Sequence, residues 1–169
     1  MVQTPEEIRD RMRELQRIGR SDEAIAICTA AMSEIGQEHI HRLLDYRASA
    51  KWRVGHREDA LADMEAAITA APQWAGHLYQ YMLWCVELGL FNDAVKASKQ
   101  LVIVETERAS DAFMDSAHFF QSFALLQLGD WEGALASARS MKDEKPIWVS
   151  GRFVSKSELI EAAAKNERI

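Results

Sequence analysis

The sequence predicts an all-α protein, and three observations carry that reading. Apolar residues recur at helical spacing through most of the 169 residues. The chain holds only 8 glycines and 3 prolines, little material for long loops, while Ala, Leu, Glu, Arg and Met supply strong helix propensity. One turn pattern, a glycine with an alanine five positions later, occurs at Gly19/Ala24, Gly55/Ala60, Gly89/Ala94 and Gly129/Ala134. The length suffices for one domain, 1–169, with a sizeable core.

Thr4-Pro5-Glu6-Glu7 opens the first helix: Thr4 can cap, Pro5 suits the first helical position, and Glu7 completes a capping box. Ile8, Met12 and Leu15 form its apolar stripe, and Gly19 ends it. Ser21 reads as the cap of a helix carrying Ala24, Ile25, Cys28, Ala31 and Met32. After the polar connector 36–39, Leu44, Ala48 and Trp52 recur before Gly55, and Ala60, Leu61, Met64, Ala67 and Ile68 recur before Pro72. Leu78, Met82 and Cys85 precede Gly89, where Asn92 reads as a cap for the helix of Ala94, Val95, Leu101 and Val102. His118, Ser122 and Leu125 lead to Gly129, and Asp130 can cap a helix of Ala134, Leu135, Ala138 and Met141 that stops before Pro146. Residues 147–153 interrupt the period. A last helix follows from Ser155, with Ser155 and Glu158 as a second capping box and Leu159, Ile160 and Ala163 on its apolar face.

Successive turn glycines stand 36, 34 and 40 residues apart. A period near 34 with two helices per repeat resembles the tetratricopeptide repeat, in which the turn glycine is followed by an aromatic two residues later and a small residue five later. Phe91 and Trp131 fill the aromatic position, Ser21 and Arg57 depart from it, and the small residue is present four times. The resemblance spans about residues 4–146, with repeats near 4–36, 41–72, 75–105 and 112–146. It implies an α-α superhelix of antiparallel helix pairs, its exposed end covered by a helix near 155–166. The six extra residues between Gly89 and Gly129 fall near 105–111, as a lengthened helix or a projecting loop.

Composition and motifs argue against chemistry. The 48% hydrophobic and 27% charged fractions suit a water-soluble domain, and the N-terminal stretch lacks the apolar run of a signal peptide. No apolar stretch approaches a membrane span, so the cytoplasm is the expected compartment. Cys28 and Cys85 read as buried free thiols. The five histidines show no metal-binding spacing, and His118 is expected as a hydrogen-bonded core residue. Glycines are used singly, so there is no phosphate loop, and no nucleophile elbow occurs. The acidic runs Asp22-Glu23, Glu58-Asp59 and Asp63/Glu65 are expected on solvated outer faces. The chain is read as a non-enzyme with no metal and no cofactor.

The resemblance also implies where a partner docks. Counting the turn glycine as fifteenth, groove positions are the second, fifth, ninth, twelfth and thirteenth. They offer Arg9, Arg13 and Arg17 in the first repeat and Asp45, Trp52 and Arg53 in the second. The third offers Tyr79 and Leu83, and the fourth Phe119 and Phe123. Such a groove, basic at one end and aromatic at the other, suits an acidic and apolar segment of another protein held by an adaptor or chaperone. The arginines could instead pair with Glu6, Asp10 and Glu14, and the aromatics could pack against the extra residues or the last helix. A second reading is an inhibitor or immunity-type protein that masks a basic partner with an acidic outer face, in line with the net charge of −6. Nucleic acid and membrane are not expected partners, and the chain is expected to be a monomer or weak homodimer.

Overall fold

The computed structural model describes residues 4–169; the first three residues, part of the stretch read for a signal peptide, lie outside the described residues. Helix–turn–helix pairs follow one another: α1 (Pro5–Arg17) and α2 (Ser21–Ala31), α3 (Ile40–Arg53) and α4 (Arg57–Ala70), α5 (Ala75–Glu87) and α6 (Phe91–Glu107), α7 (Met114–Leu128) and α8 (Trp131–Ser140). A short antiparallel hairpin, β1 (Ile147–Val149) and β2 (Arg152–Val154), precedes α9 (Lys156–Lys165). The chain divides into two compact units, Met1–His77 and Leu78–Ile169.

The turns repeat one piece of backbone chemistry. Gly19, Gly55, Gly89 and Gly129 take φ of 77°, 86°, 73° and 81°, a region that penalises any Cβ. The alanine five residues on is fully buried in each pair. In the last pair the helices are close enough for Ser122 Oγ to donate to the Ala134 carbonyl at 2.9 Å. Both capping boxes form: Thr4 with Glu7, and Ser155 with Glu158. Asp130 caps α8 by accepting from the Gly133 amide at 2.9 Å. Ser21 and Asn92 do not cap. Helix α2 begins one residue and α6 two residues before the expected position, so Ser21 is the first residue of α2 and Asn92 the second of α6, after Arg20 and Leu90, which make no side-chain cap.

In the first unit, Ile8, Met12, Ala24, Cys28, Leu43 and Ala50 form the core. Leu43, fully buried, takes the place expected of its neighbour Leu44, which is half-buried. Burial pushes the Cys28 thiol up to about 12, so it is an inert apolar group. Asp63 overturns the expectation of a solvated acidic face. It is buried, and Arg47 holds it bidentately at 2.7 Å with Lys51 Nζ at 2.8 Å, joining α3 to α4.

In the second unit the extra residues lengthen α6 to Glu107, and a connector turns back through Ala109 at φ 50°. Buried Glu105 ties this connector down, accepting from Ser110 Oγ at 3.0 Å and from the Phe113 amide at 2.9 Å. After α8, Asp115 accepts from the Lys142 and Asp143 amides at 2.9 and 2.7 Å, anchoring the chain that leads to the hairpin. The hairpin is an addition to the helical frame that the interrupted period did not reveal. Ser150 (φ 49°) and Gly151 (φ 84°) form its two-residue turn, which needs positive φ at both positions. Val149 and Val154 point inward, whereas Trp148 and Phe153 pair across the strands on the solvent face. Leu159, Ala162 and Ala163 of α9 are buried where that helix packs on α7 and α8.

Candidate interaction surface

The first unit carries the basic part of the expected groove. Arg9, Arg13 and Arg17 are one turn apart on α1, which places them along one face. Arg9 reaches its neighbour Asp10 at 3.0 Å and Arg17 reaches Glu14 at 2.8 Å; both partners are well exposed. These contacts raise both arginines above their ordinary value, through hydrogen bonding first and charge second. Exposed pairs of this kind are worth little and exchange readily. Arg13 is exposed and has no ion pair among the described residues, so its charge is unspent. Arg42 of α3 crosses to Glu6 of α1 at 2.5 Å, fixing one helix against the other.

On α3, Asp45 lies beside a buried histidine pair that sequence spacing gave no reason to expect. His41 Nδ1 and His77 Nε2 are 2.9 Å apart, one donating and the other accepting according to tautomer. His77 Nδ1 lies 3.7 Å from Asp45 Oδ2, too long for a hydrogen bond. Burial lowers His77 to about 4, helped by the nearby His41 ring, and also lowers His41; it raises Asp45 to about 6. At neutral pH both rings are neutral and Asp45 is ionised. Trp74 stacks on His77 at 5.9 Å, tilts against His41 at 5.0 Å, and lies under the Arg42 guanidinium at 5.5 Å, yet remains 42% exposed. The only sequence signal for this residue was a large aromatic placed in a connector, two residues after Pro72.

Trp52 is half-buried beneath Arg57, whose guanidinium sits 4.0 Å from the ring centroid while Nη1 donates to the Trp52 carbonyl at 2.7 Å. Arg53, next to it, is exposed and has no ion pair among the described residues. The first unit therefore presents arginines on both α1 and α3, with Asp45, Trp52 and Trp74 in the same unit.

The second unit uses its groove positions differently. Phe119 and Phe123, expected as surface anchors, are core residues at 0% and 2% exposure. Phe119 meets Phe120 edge-on at 5.1 Å, and Phe123 meets Phe91 at 6.4 Å. A partner could reach either ring only by displacing the unit's own packing. Tyr79 is half-buried, its ring 4.8 Å from Phe113 in the connector that the extra residues form. Leu83 is also half-buried. At the thirteenth position of the last repeat, Gln127 Nε2 donates to the carbonyl of Ile169 at 2.8 Å, so Ile169 takes that place. His118 departs from expectation too: it is half-buried, and its Nδ1 is enclosed without a hydrogen-bond partner. Among the described residues, no group of three or more His, Cys, Asp or Glu is placed to hold a metal ion, and no helix is long and apolar enough to cross a membrane.

No family model matches the chain, and no curated protein matches it. Solved structures do. A tetratricopeptide repeat protein from Parabacteroides merdae aligns with a TM-score of 0.68 at 19% identity over 80% of this chain. This chain spans about half of that protein, 51% of its length. MamA aligns with a TM-score of 0.66 at 15% identity, covering 96% of this chain and 81% of MamA. A thermophilic TPR protein from Thermus thermophilus aligns at 0.54 and 16% identity, covering 81% of this chain and 72% of that one. With the glycine turns, the buried small residues and the succession of helix pairs, these likenesses establish that the chain has the tetratricopeptide-repeat fold.

Proposed function

We propose that this chain is a non-catalytic protein-interaction module, an adaptor or chaperone, whose first unit takes an acidic segment of another protein on the face formed by α1 and α3. Folds of this class are generally protein-interaction modules. The observation that carries the finer reading is the pair of unspent guanidiniums, Arg13 on α1 and Arg53 on α3, both exposed and without an ion pair among the described residues. Arg9 and Arg17 flank Arg13 and hold only exposed carboxylates, which an incoming segment displaces at small cost. Guanidinium forks take carboxylates bidentately, and Trp52 supplies an aromatic surface on the same helix as Arg53. Asp45 discriminates against segments that place a carboxylate beside it. Two cysteines, Cys28 and Cys85, both buried and in no disulfide, fit the cytoplasm, where the module acts as a monomer or weak homodimer.

The alternative, an inhibitor that masks a basic partner, draws on the exposed carboxylates Asp22, Glu23, Glu58 and Asp59 at the starts of α2 and α4. Affinity capture from the source cell, comparing wild type with Arg13→Glu/Arg53→Glu, separates the two. The account expects one enriched protein that disappears with the double variant. Retention of that protein by the variant, with loss on Glu58→Lys/Asp59→Lys, would replace the adaptor reading by the inhibitor reading.

A further inference from the structure

We propose that the trough between α6, α7 and α8 of the second unit is a separate peptide site, which takes a carboxylate flanked by an aliphatic side chain. The trough has a volume of about 470 Å3 and is lined by Lys99, Val102 and Ile103 of α6, His118 and Gln121 of α7, and Ser137 of α8, among others. No carboxylate lines it, so Lys99 is its one charged group. Lys99 and Gln121 make no hydrogen bond or ion pair among the described residues. His118 is the third unspent group. Its enclosed Nδ1 meets no partner, and burial lowers its proton affinity, so the ring is neutral at pH 7. The tautomer with the hydrogen on Nε2 leaves Nδ1 as a bare lone pair rather than a stranded donor, and puts the ring's one N–H on Nε2.

An ammonium, a side-chain amide and an imidazole N–H around one trough are complementary to a carboxylate. The apolar half of the ligand is set by Ile103, 56% exposed, and Val102, one helical position before it. Pockets for small ligands enclose most of the ligand surface. This trough is open between helix faces, so it suits side chains delivered by an extended segment whose remaining backbone stays outside.

The test is a titration of the 15N-labelled full chain by NMR with N-acetyl-Leu-Glu-Leu-amide and with the same peptide carrying Gln in place of Glu. The proposal expects shifts clustered at 99–103, 118–121 and 136–140, with the Gln peptide about fivefold weaker, the size of one exposed ion pair. Lys99→Glu should abolish the shifts and Ile103→Ser should weaken them, both being exposed surface changes, whereas Arg13→Glu/Arg53→Glu should leave them unchanged. That last arm keeps this site independent of the first-unit face. Equal affinity for the two peptides, wild-type binding by Lys99→Glu, no shifts in the trough at millimolar peptide, or shifts confined to α1 and α3 would each overturn it. Trough shifts that follow protein concentration alone, with a dimer in sedimentation, would assign the site to a second copy and equally overturn it.

Discussion

In the first repeat the fifth and ninth positions carry Arg9 and Arg13, which stand on the surface of α1; in the fourth they carry Phe119 and Phe123, which are buried. The same backbone positions thus lie toward the surface in one unit and in the core in the other. Side-chain chemistry decides between them. A guanidinium surrendered to a core without partners costs several kcal/mol, so Arg13 stays in water. A phenylalanine gains about 1.5–3 kcal/mol on burial, so the second unit supplies packing that hides it. Phe91 and Phe120 are part of that packing, and Phe113 lies against the half-buried Tyr79. The lesson is that a repeat position specifies a direction, and the rest of the unit decides whether that direction meets solvent.

The largest expected effect lies in the second unit. Phe119→Ala should lower stability by about 3–5 kcal/mol in urea denaturation of the full chain, because it opens a cavity in a filled core. A loss below about 1 kcal/mol, the range of a surface change, would contradict the burial on which the comparison rests. In the first unit, Asp63→Asn strands Arg47 and Lys51 at their half-buried positions and should cost up to about 3 kcal/mol by the same measurement.

The pH dependence of the first unit comes next. His77 is lowered from 6.5 to about 4, so the unfolded chain takes its proton first, and stability falls as pH drops through that window by up to about 3 kcal/mol. Asp45 is raised from 3.8 to about 6, so the folded chain takes its proton first, and about 3 kcal/mol is regained as pH drops from 6 toward 4. The two nearly cancel in the wild type. Asp45→Asn removes the gain, and its stability should therefore drop steeply between pH 6.5 and 4; a profile parallel to the wild type would show that the pair does not titrate as its burial requires. Among the smaller effects, Ala109→Gly should stabilise by about 1 kcal/mol, since alanine holds a left-handed conformation there that glycine adopts freely. Arg13→Glu/Arg53→Glu should change stability by no more than about 0.5 kcal/mol, as expected for exposed side chains.

The helix pairs, the turns and both capping boxes were legible in the sequence because each depends on a few neighbouring residues, whereas the starts of α2 and α6 were not. The glycine turns needed positive φ, and Thr4/Glu7 and Ser155/Glu158 needed three-residue spacing. The hairpin has a local signal too, since Ser150-Gly151 stands between Ile147-Trp148-Val149 and Arg152-Phe153-Val154, but each strand is only three residues long. What stayed hidden was long-range. His41 and His77 meet across 36 residues, and Arg47 reaches Asp63 across 16. No spacing rule for one helix face announces either pair. The site expectation erred at Phe119 and Phe123 for the same reason: it followed repeat positions, while their exposure was settled by side chains from elsewhere in the second unit.

The proposed interaction face is that of α1 and α3 in the first unit, whereas the second unit buries Phe119 and Phe123 at the matching positions. Hydrogen exchange of the full chain with and without its captured partner tests this most directly. The account predicts slowed exchange over residues 5–17 and 40–53 and none over 119–127. Protection confined to 119–127, with α1 and α3 unchanged, would contradict it.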